Sequence, residues 1–230
     1  FRRVLFRSGG STFTGKTSGV ITNDSSAAIT IASLELDGDT TINGGSGLTI
    51  TAANYGGKNV SVTGKATLAN GTMGNLTVGD GTTVTSVEGK PTATNLTVKD
   101  NASFTATGSL SIGSVEIESG GTFSSGADGS SHTITVNGDW TNNGIFSAQK
   151  SKIDFTSATT ILGTTDFYDA IFDSSADVAD GNSFHAVTAT GVFTANGTVT
   201  VSADSSFSSI KSGASGATVS FAGGTTQAFS

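Results

Sequence analysis

Along much of the chain apolar residues stand two apart, separated from the next such pair by short polar stretches. The pattern is clearest in three segments. They are Asn75-Leu76-Thr77-Val78-Gly79-Asp80-Gly81-Thr82-Thr83-Val84, Asn95-Leu96-Thr97-Val98-Lys99-Asp100-Asn101-Ala102-Ser103-Phe104 and Ser114-Val115-Glu116-Ile117-Glu118-Ser119-Gly120-Gly121-Thr122-Phe123. Each reads apolar-x-apolar, then five mostly turn-type residues, then an apolar anchor. Its central residue recurs at Val78, Val98, Ile117 and Val136, in steps of 20, 19 and 19. Fainter copies fall at Leu34/Leu36/Ile42, Val60/Val62/Leu68 and Val199/Val201/Phe207, and Phe172/Val178 is the best candidate within the less regular stretch 140–193. A doublet of period two buries one strand face and exposes the other, where Thr, Ser, Lys and Glu stand. The Gly-Asp-Gly, Lys-Asp-Asn and Ser-Gly-Gly triplets supply the residues that corners need.

Such doublets are too short to form a core alone, and self-similarity at a fixed short period marks a repeat architecture. Two or three short strands joined by corners in about 20 residues make one rung of a parallel solenoid, whose rungs stack ~4.8 Å apart so that like residues lie over like. The expected fold is all-β, a right-handed parallel β-helix of about 20 residues per rung, with Val84, Phe104 and Phe123 as one internal ladder. About eleven rungs make a rod of ~50 Å. A string of β-sandwich modules also has short alternating strands, but sandwich strands need not resemble one another as these copies do. Pro91 falls outside the doublets, where a missing backbone N–H is harmless.

Composition agrees with strands. Gly, Ser and Thr make up roughly 45% of the 230 residues and good helix formers are scarce. Low charge, a single Pro and 14 Phe are the opposite of a disordered linker. All three arginines lie in Phe1-Arg2-Arg3-Val4-Leu5-Phe6-Arg7-Ser8. That octapeptide resembles the in-frame translation of a sequencing-library adapter. Residues 1–8 therefore read as a non-native scar, and 9–230 as a single solenoid segment of a longer chain, a metagenomic fragment with longer, irregular rungs around 140–193. Without the octapeptide eight lysines face 18 acidic residues. An acidic surface without arginine is a poor partner for nucleic acid and for anionic membranes. No apolar run approaches a membrane span, and the absence of Cys excludes thiolate metal sites and disulfides.

Several motifs invite chemistry and lack its context. Gly10-Ser11-Thr12-Phe13-Thr14-Gly15-Lys16-Thr17 matches the phosphate-loop pattern, but no helix follows to cradle a phosphate. Gly44-Gly45-Ser46-Gly47-Leu48-Thr49-Ile50 nearly matches a calcium β-roll repeat, with Thr49 where the carboxylate belongs. The acidic run Asp166, Asp169, Asp173, Asp177 and Asp180 would share one face of a helix, yet its neighbours read as strand and corner, so the expectation is a scattered, solvated edge. Whether that edge takes calcium stays open. For glycoside hydrolysis the close pairs to test are Asp37/Asp39 and Asp166/Asp169, against the simpler reading of Asp beside Gly as a corner residue. His132 and His185 are expected at solvated corners, and Trp140 is expected as a buried cap over an irregular corner, the competing reading being a sugar-stacking patch with Phe167 and Tyr168. No catalytic, cofactor-binding or metal-binding residue is assigned.

One block carries a resemblance. Asn137-Gly138-Asp139-Trp140-Thr141-Asn142-Asn143-Gly144-Ile145-Phe146, then Ile153-Asp154-Phe155, then Thr164-Thr165-Asp166-Phe167-Tyr168-Asp169-Ala170-Ile171-Phe172, resembles the repeated Trp-Asn-Gly-Phe blocks of large bacterial surface and secreted β-helix proteins. These are adhesin-like, autotransporter-passenger-like and filamentous-haemagglutinin-like. The resemblance spans residues 133–207 well and the rest in style, and it brings no catalytic residue with it. It implies a non-catalytic structural or adhesive stalk segment, extracellular or on the bacterial outer surface. The implied partners are glycans, host or neighbouring cell surfaces, or further copies along the rod. The alternatives are a carbohydrate-active β-helix enzyme, hydrolase or lyase, and a trimeric phage or secreted fibre.

Overall fold

A computed structural model describes residues 2–6, 14–79, 81–86, 91–127, 129–222 and 227–229. Among them there is no helix. All strand pairings are parallel and join residues roughly one turn apart, so the chain winds into a β-solenoid of about 11 turns. Each turn presents three faces in order. Face I holds residues 33–36, 110–112, Thr133–Val136 and Lys152–Phe155. Face II holds residues 40–43, Val60–Thr63, residues 75–78, 95–98 and 114–117, and Trp140–Asn142. Face III is a seven-stranded sheet made of Ile29–Ile31, Leu48–Ile50, Lys65–Leu68, Thr83–Ser86, Ser103–Thr105, Thr122–Ser124 and Ile145–Ser147. Arg2–Phe6 pairs with residues 19–23 at one end of the ladder, as any strand laid along an open edge can. Origin and pairing are separate matters for the octapeptide.

Register puts like over like. On face II, Ile21, Ile42, Val62, Val78, Val98 and Ile117 form one inward column. On face I the column runs Met73, Ala93, Ile112, Val136, Phe155 and Phe172. On face III, Val84 lies on Phe104 and Phe104 on Phe123, the ladder expected from the sequence, and Phe146 extends it. Ring centroids along it are 5.4 Å and 5.3 Å apart, and Phe146 meets Phe167 at 5.9 Å. Offset and edge-on rings at these separations attract one another beyond simple burial. The interior is filled throughout by Val, Ile, Leu and Phe, each burial worth ~1.5–3 kcal/mol.

Four assignments shift by a face: in two of them Val201 lies on Phe184 on the side of face III with Phe207 on face I, and Phe172 lies on face I with Val178 on face II. Val136 does not continue the Val78–Val98–Ile117 column; it lies on Ile112 of face I, and Ile117 is followed by Asn142. The cause is one long turn, from Val115 to Trp140, which inserts face I residues at the expected spacing. Leu34/Leu36 likewise belong to face I, and the true partners of Val60/Val62 are Thr40/Ile42. Pro91 sits before the strand Thr92–Val98, with its ring buried and its carbonyl accepting the Ser111 N–H at 3.1 Å.

Some corners are closed by backbone contact that leaves no room for a side chain. Gly163, at φ +75°, would place a Cβ 1.9 Å from the Asn142 carbonyl oxygen of the preceding turn. Face III is interrupted once: the seven-stranded sheet ends at Ile145–Ser147, and residues 166–167, next on that side, pair onward with 183–184 and not back to it.

The stacked interior makes a clear prediction. Phe123→Ala opens a cavity between Phe104 and Phe146 and lowers unfolding free energy by about 3–5 kcal/mol, whereas Thr122→Ala on the outer face of the same strand changes it by less than about 0.5 kcal/mol. Urea unfolding followed by circular dichroism checks both.

Candidate functional site

The outward positions of face II line up as strictly as the inward ones. Thr41, Ser61, Thr77, Thr97, Glu116 and Thr141 form one row, each beside the next in the ladder. Most are half-buried, because a second row rises along the corner that precedes face II. That rim is a chain of side-chain hydrogen bonds running along the rod. Asn59 donates its backbone N–H and its Nδ2 to the Asp39 carboxylate at 3.0 Å and 2.9 Å. The Asn75 N–H donates to Asn59 Oδ1 at 2.8 Å, and Asn95 Nδ2 to Asn75 Oδ1 at 2.7 Å. These bonds to its charged form hold the Asp39 carboxyl below the ordinary carboxylate value.

Rim and row enclose a shallow trough with two deeper stretches, about 520 Å³ beside Asp39 and Ser61 and about 390 Å³ beside Asn95 and Thr141. Its ionised groups are Asp39, Glu116 and Asp139, with no cation among the lining residues. Hydroxyls and amides repeating every ~4.8 Å suit a neutral polymer laid along the rod, and the carboxylates disfavour a polyanion. Asp39 and Glu116 are four turns apart, ~19 Å by strand spacing and well outside the separation that glycoside hydrolysis uses. Asp139, one turn from Glu116, accepts the Thr160 N–H at 2.8 Å.

The residues singled out in the sequence are spread over the rod. Asp37 is exposed and apart from the rim formed by Asp39. Asp166 accepts the Ser183 hydroxyl at 2.7 Å, Asp169 pairs with His185 Nδ1 at 2.9 Å, and Asp180 accepts the Thr198 N–H at 2.6 Å, so the acidic run is distributed over corners and outer faces. Among the described residues no group of three acidic or histidine side chains is arranged to hold a metal ion. His132 lies half-buried, its backbone N–H donating to Ser151 Oγ at 3.0 Å. His185 is exposed and stacked on Tyr168, its ring centroid 4.3 Å away. Residues 10–13 of the phosphate-loop pattern lie outside the described residues; the rest, Thr14-Gly15-Lys16-Thr17, starts the strand Thr14–Asn23, and Lys16 pairs with Glu35 at 2.7 Å, which holds its ammonium above the ordinary lysine value. The glycines of the β-roll-like segment form the corner before Leu48–Ile50, where a Cβ on Gly44 would stand 2.0 Å from the Lys65 carbonyl oxygen.

Trp140 is fully buried, as expected, and Phe167 with it. Its Nε1 donates to Thr165 Oγ1 at 3.1 Å. Asn142 donates to the same hydroxyl at 3.2 Å and to the Thr164 carbonyl at 2.9 Å, while Asn182 accepts the Thr165 N–H at 2.9 Å. This buried polar corner has no simple sequence signal, since Asn is abundant at exposed corners too. Comparison with protein-family models, curated protein sequences and solved structures finds no match.

One titration is set by packing. Asp154, on the outer side of face I, has a buried Oδ1 with no hydrogen-bond partner, and burial together with the nearby Asp173 charge raises its carboxyl above 3.8. A raised acid binds its proton more tightly in the folded state, so its stabilising effect is fully present below the unfolded value, about pH 4, and disappears as pH rises through the folded one. Asp154→Asn therefore raises Tm at pH 7 by about 1–3 °C, with the gain shrinking below about pH 4. Calorimetry across pH 3–8 measures it.

Proposed function

We propose that this chain is a segment of the rod of a bacterial extracellular or cell-surface repeat protein, a structural stalk that also adheres through its polar rows. The observation that carries this reading is the outer face II trough. Its hydroxyl and amide positions repeat turn after turn, which offers many equivalent weak contacts in place of one strong site. The cellular setting comes from the likeness of residues 137–172 to the repeat blocks of adhesin-like and autotransporter-passenger-like proteins. The partners that fit are neutral glycans on host or neighbouring cells and other rods lying alongside.

Beads carrying many copies of the 230-residue chain should be retained on bacterial or epithelial cell layers far more strongly than the monovalent chain, by roughly 10²–10⁴-fold in apparent affinity. Replacing Thr77 and Thr97 together by Asp should abolish the retention while leaving the circular dichroism unchanged. Retention unaffected by these changes, or absent even at high valency, removes the adhesive part of the reading. Release of new reducing ends from neutral polysaccharides by the same chain would favour the enzyme alternative.

A further inference from the structure

The break in face III leaves a notch in the side of the rod. On one side are Ser147, the last residue of the seven-stranded sheet, and Ala148 and Gln149, which follow it; on the other are Asp166, Tyr168 and His185. The notch holds about 430 Å³ and is open to solvent, within the usual size of a small-ligand site. Its back wall is the contact between Phe146 and Phe167.

Its chemistry differs from that of every other outer surface described. One outward row of face III is small and polar, with Thr30, Thr49 and Thr67 on one another and further along Thr105, Ser124 and Ser147, while the other carries Lys65 and ends at the exposed Ile145; neither holds an aromatic ring. Past the break the outer side carries Tyr168 and then His185, whose rings stack 4.3 Å apart and nearly parallel, at 7°. Other aromatic side chains whose burial is described lie within or against the core. The order of the turns puts His185 against one face of the Tyr168 ring and leaves the other face toward residues 147–149. Asp169 holds His185 at Nδ1, and Asp166 stands at the notch with one carboxylate oxygen accepting the Ser183 hydroxyl.

We propose that this notch binds one or two residues of a neutral pyranose sugar. A flat ring fixed by a stacked neighbour offers an apolar platform for the C–H face of a sugar. The Asp166 carboxylate borders that platform and keeps an oxygen for ring hydroxyls, beside Gln149, whose amide already donates to Ser147 Oγ and accepts the Gly129 N–H. The same carboxylate, without a lysine or arginine among the lining residues, selects against uronic acids and sulfated sugars. The proposal deepens the adhesive reading above by naming a ligand class, and it places that ligand at one point on the rod, apart from the face II trough.

Trp140, the only tryptophan, touches both back-wall rings, with centroids 4.8 Å from Phe146 and 5.3 Å from Phe167, so its fluorescence reports on the notch. Cellohexaose and N-acetylchitohexaose are the neutral probes and hexagalacturonate the anionic one, titrated into the full chain. The expected result is a saturable fluorescence change with at least one neutral probe at about millimolar concentration. Tyr168→Ala weakens it at least about fivefold, Tyr168→Trp retains it, and Thr97→Ala in the trough leaves it unchanged. Asp166→Asn gives a second reading if the tyrosine variant does not fold. No saturation with either neutral probe, equal or tighter binding of the galacturonate, or affinity unchanged in both Tyr168→Ala and Asp166→Asn overturns the proposal. Cell retention that depends on Thr77 and Thr97 with no hexasaccharide binding leaves the rod reading standing and the notch without a sugar; hexasaccharide binding without cell retention does the reverse.

Discussion

The in-register parallel backbone ladder is the constraint on which everything else rests. Its hydrogen bonds fix neighbouring turns ~4.8 Å apart and align them residue for residue, so each inward side chain meets its counterpart above and below before it meets anything else. Val62, Val78 and Val98 are buried because they lie on one another, and no single turn has a core of its own. The same alignment works outward. Thr41, Ser61, Thr77 and Thr97 form a row for the reason that the valines form a column, and the hydroxyl surface is the reverse side of the apolar stack.

Corners absorb what the ladder cannot. Turns from Ile161 to Val178 and from Val178 to Ala195 take 17 residues each, while the turn from Val115 to Trp140 takes 25, and pairing resumes after both. The long turn has a cost in polarity. Asn142 stands in a column filled by Val and Ile up to Ile117, and its amide is satisfied because its Nδ2 meets the Thr164 carbonyl and the Thr165 hydroxyl inside the corner while its Oδ1 accepts the Gly144 N–H. A buried amide without those partners would be strongly destabilising, so the local threonines and the long turn belong together.

Fold class and much of the ladder were legible because three consecutive turns have nearly equal length and repeat the same doublet and anchor. Val84, Phe104 and Phe123 could be stacked on that spacing alone. Face identity was harder to read. An apolar-x-apolar doublet looks alike on all three faces, and only a count through the irregular turn separates Val136 from the column of Ile117. The trough was visible as threonines facing out, whereas its asparagine rim depends on side-chain bonds between residues 16 and 20 positions apart. The notch was the least legible feature. Tyr168 and His185 are 17 positions apart, and their meeting follows from the short turns of this region and from a sheet that stops one strand earlier.

The direction of the ladder bonds also makes the rod mechanically anisotropic. They run along its length, so tension on one chain end peels turns away singly from that end, each resisted by only one turn's bonds and its share of the stack. A sideways load on one face is instead shared with neighbouring turns through the interdigitated phenylalanines from Phe104 to Phe207. A rod built this way is stiff against bending and yields to end-on pulling in small, repeatable steps, extending a tether by about one turn's length of chain at a time.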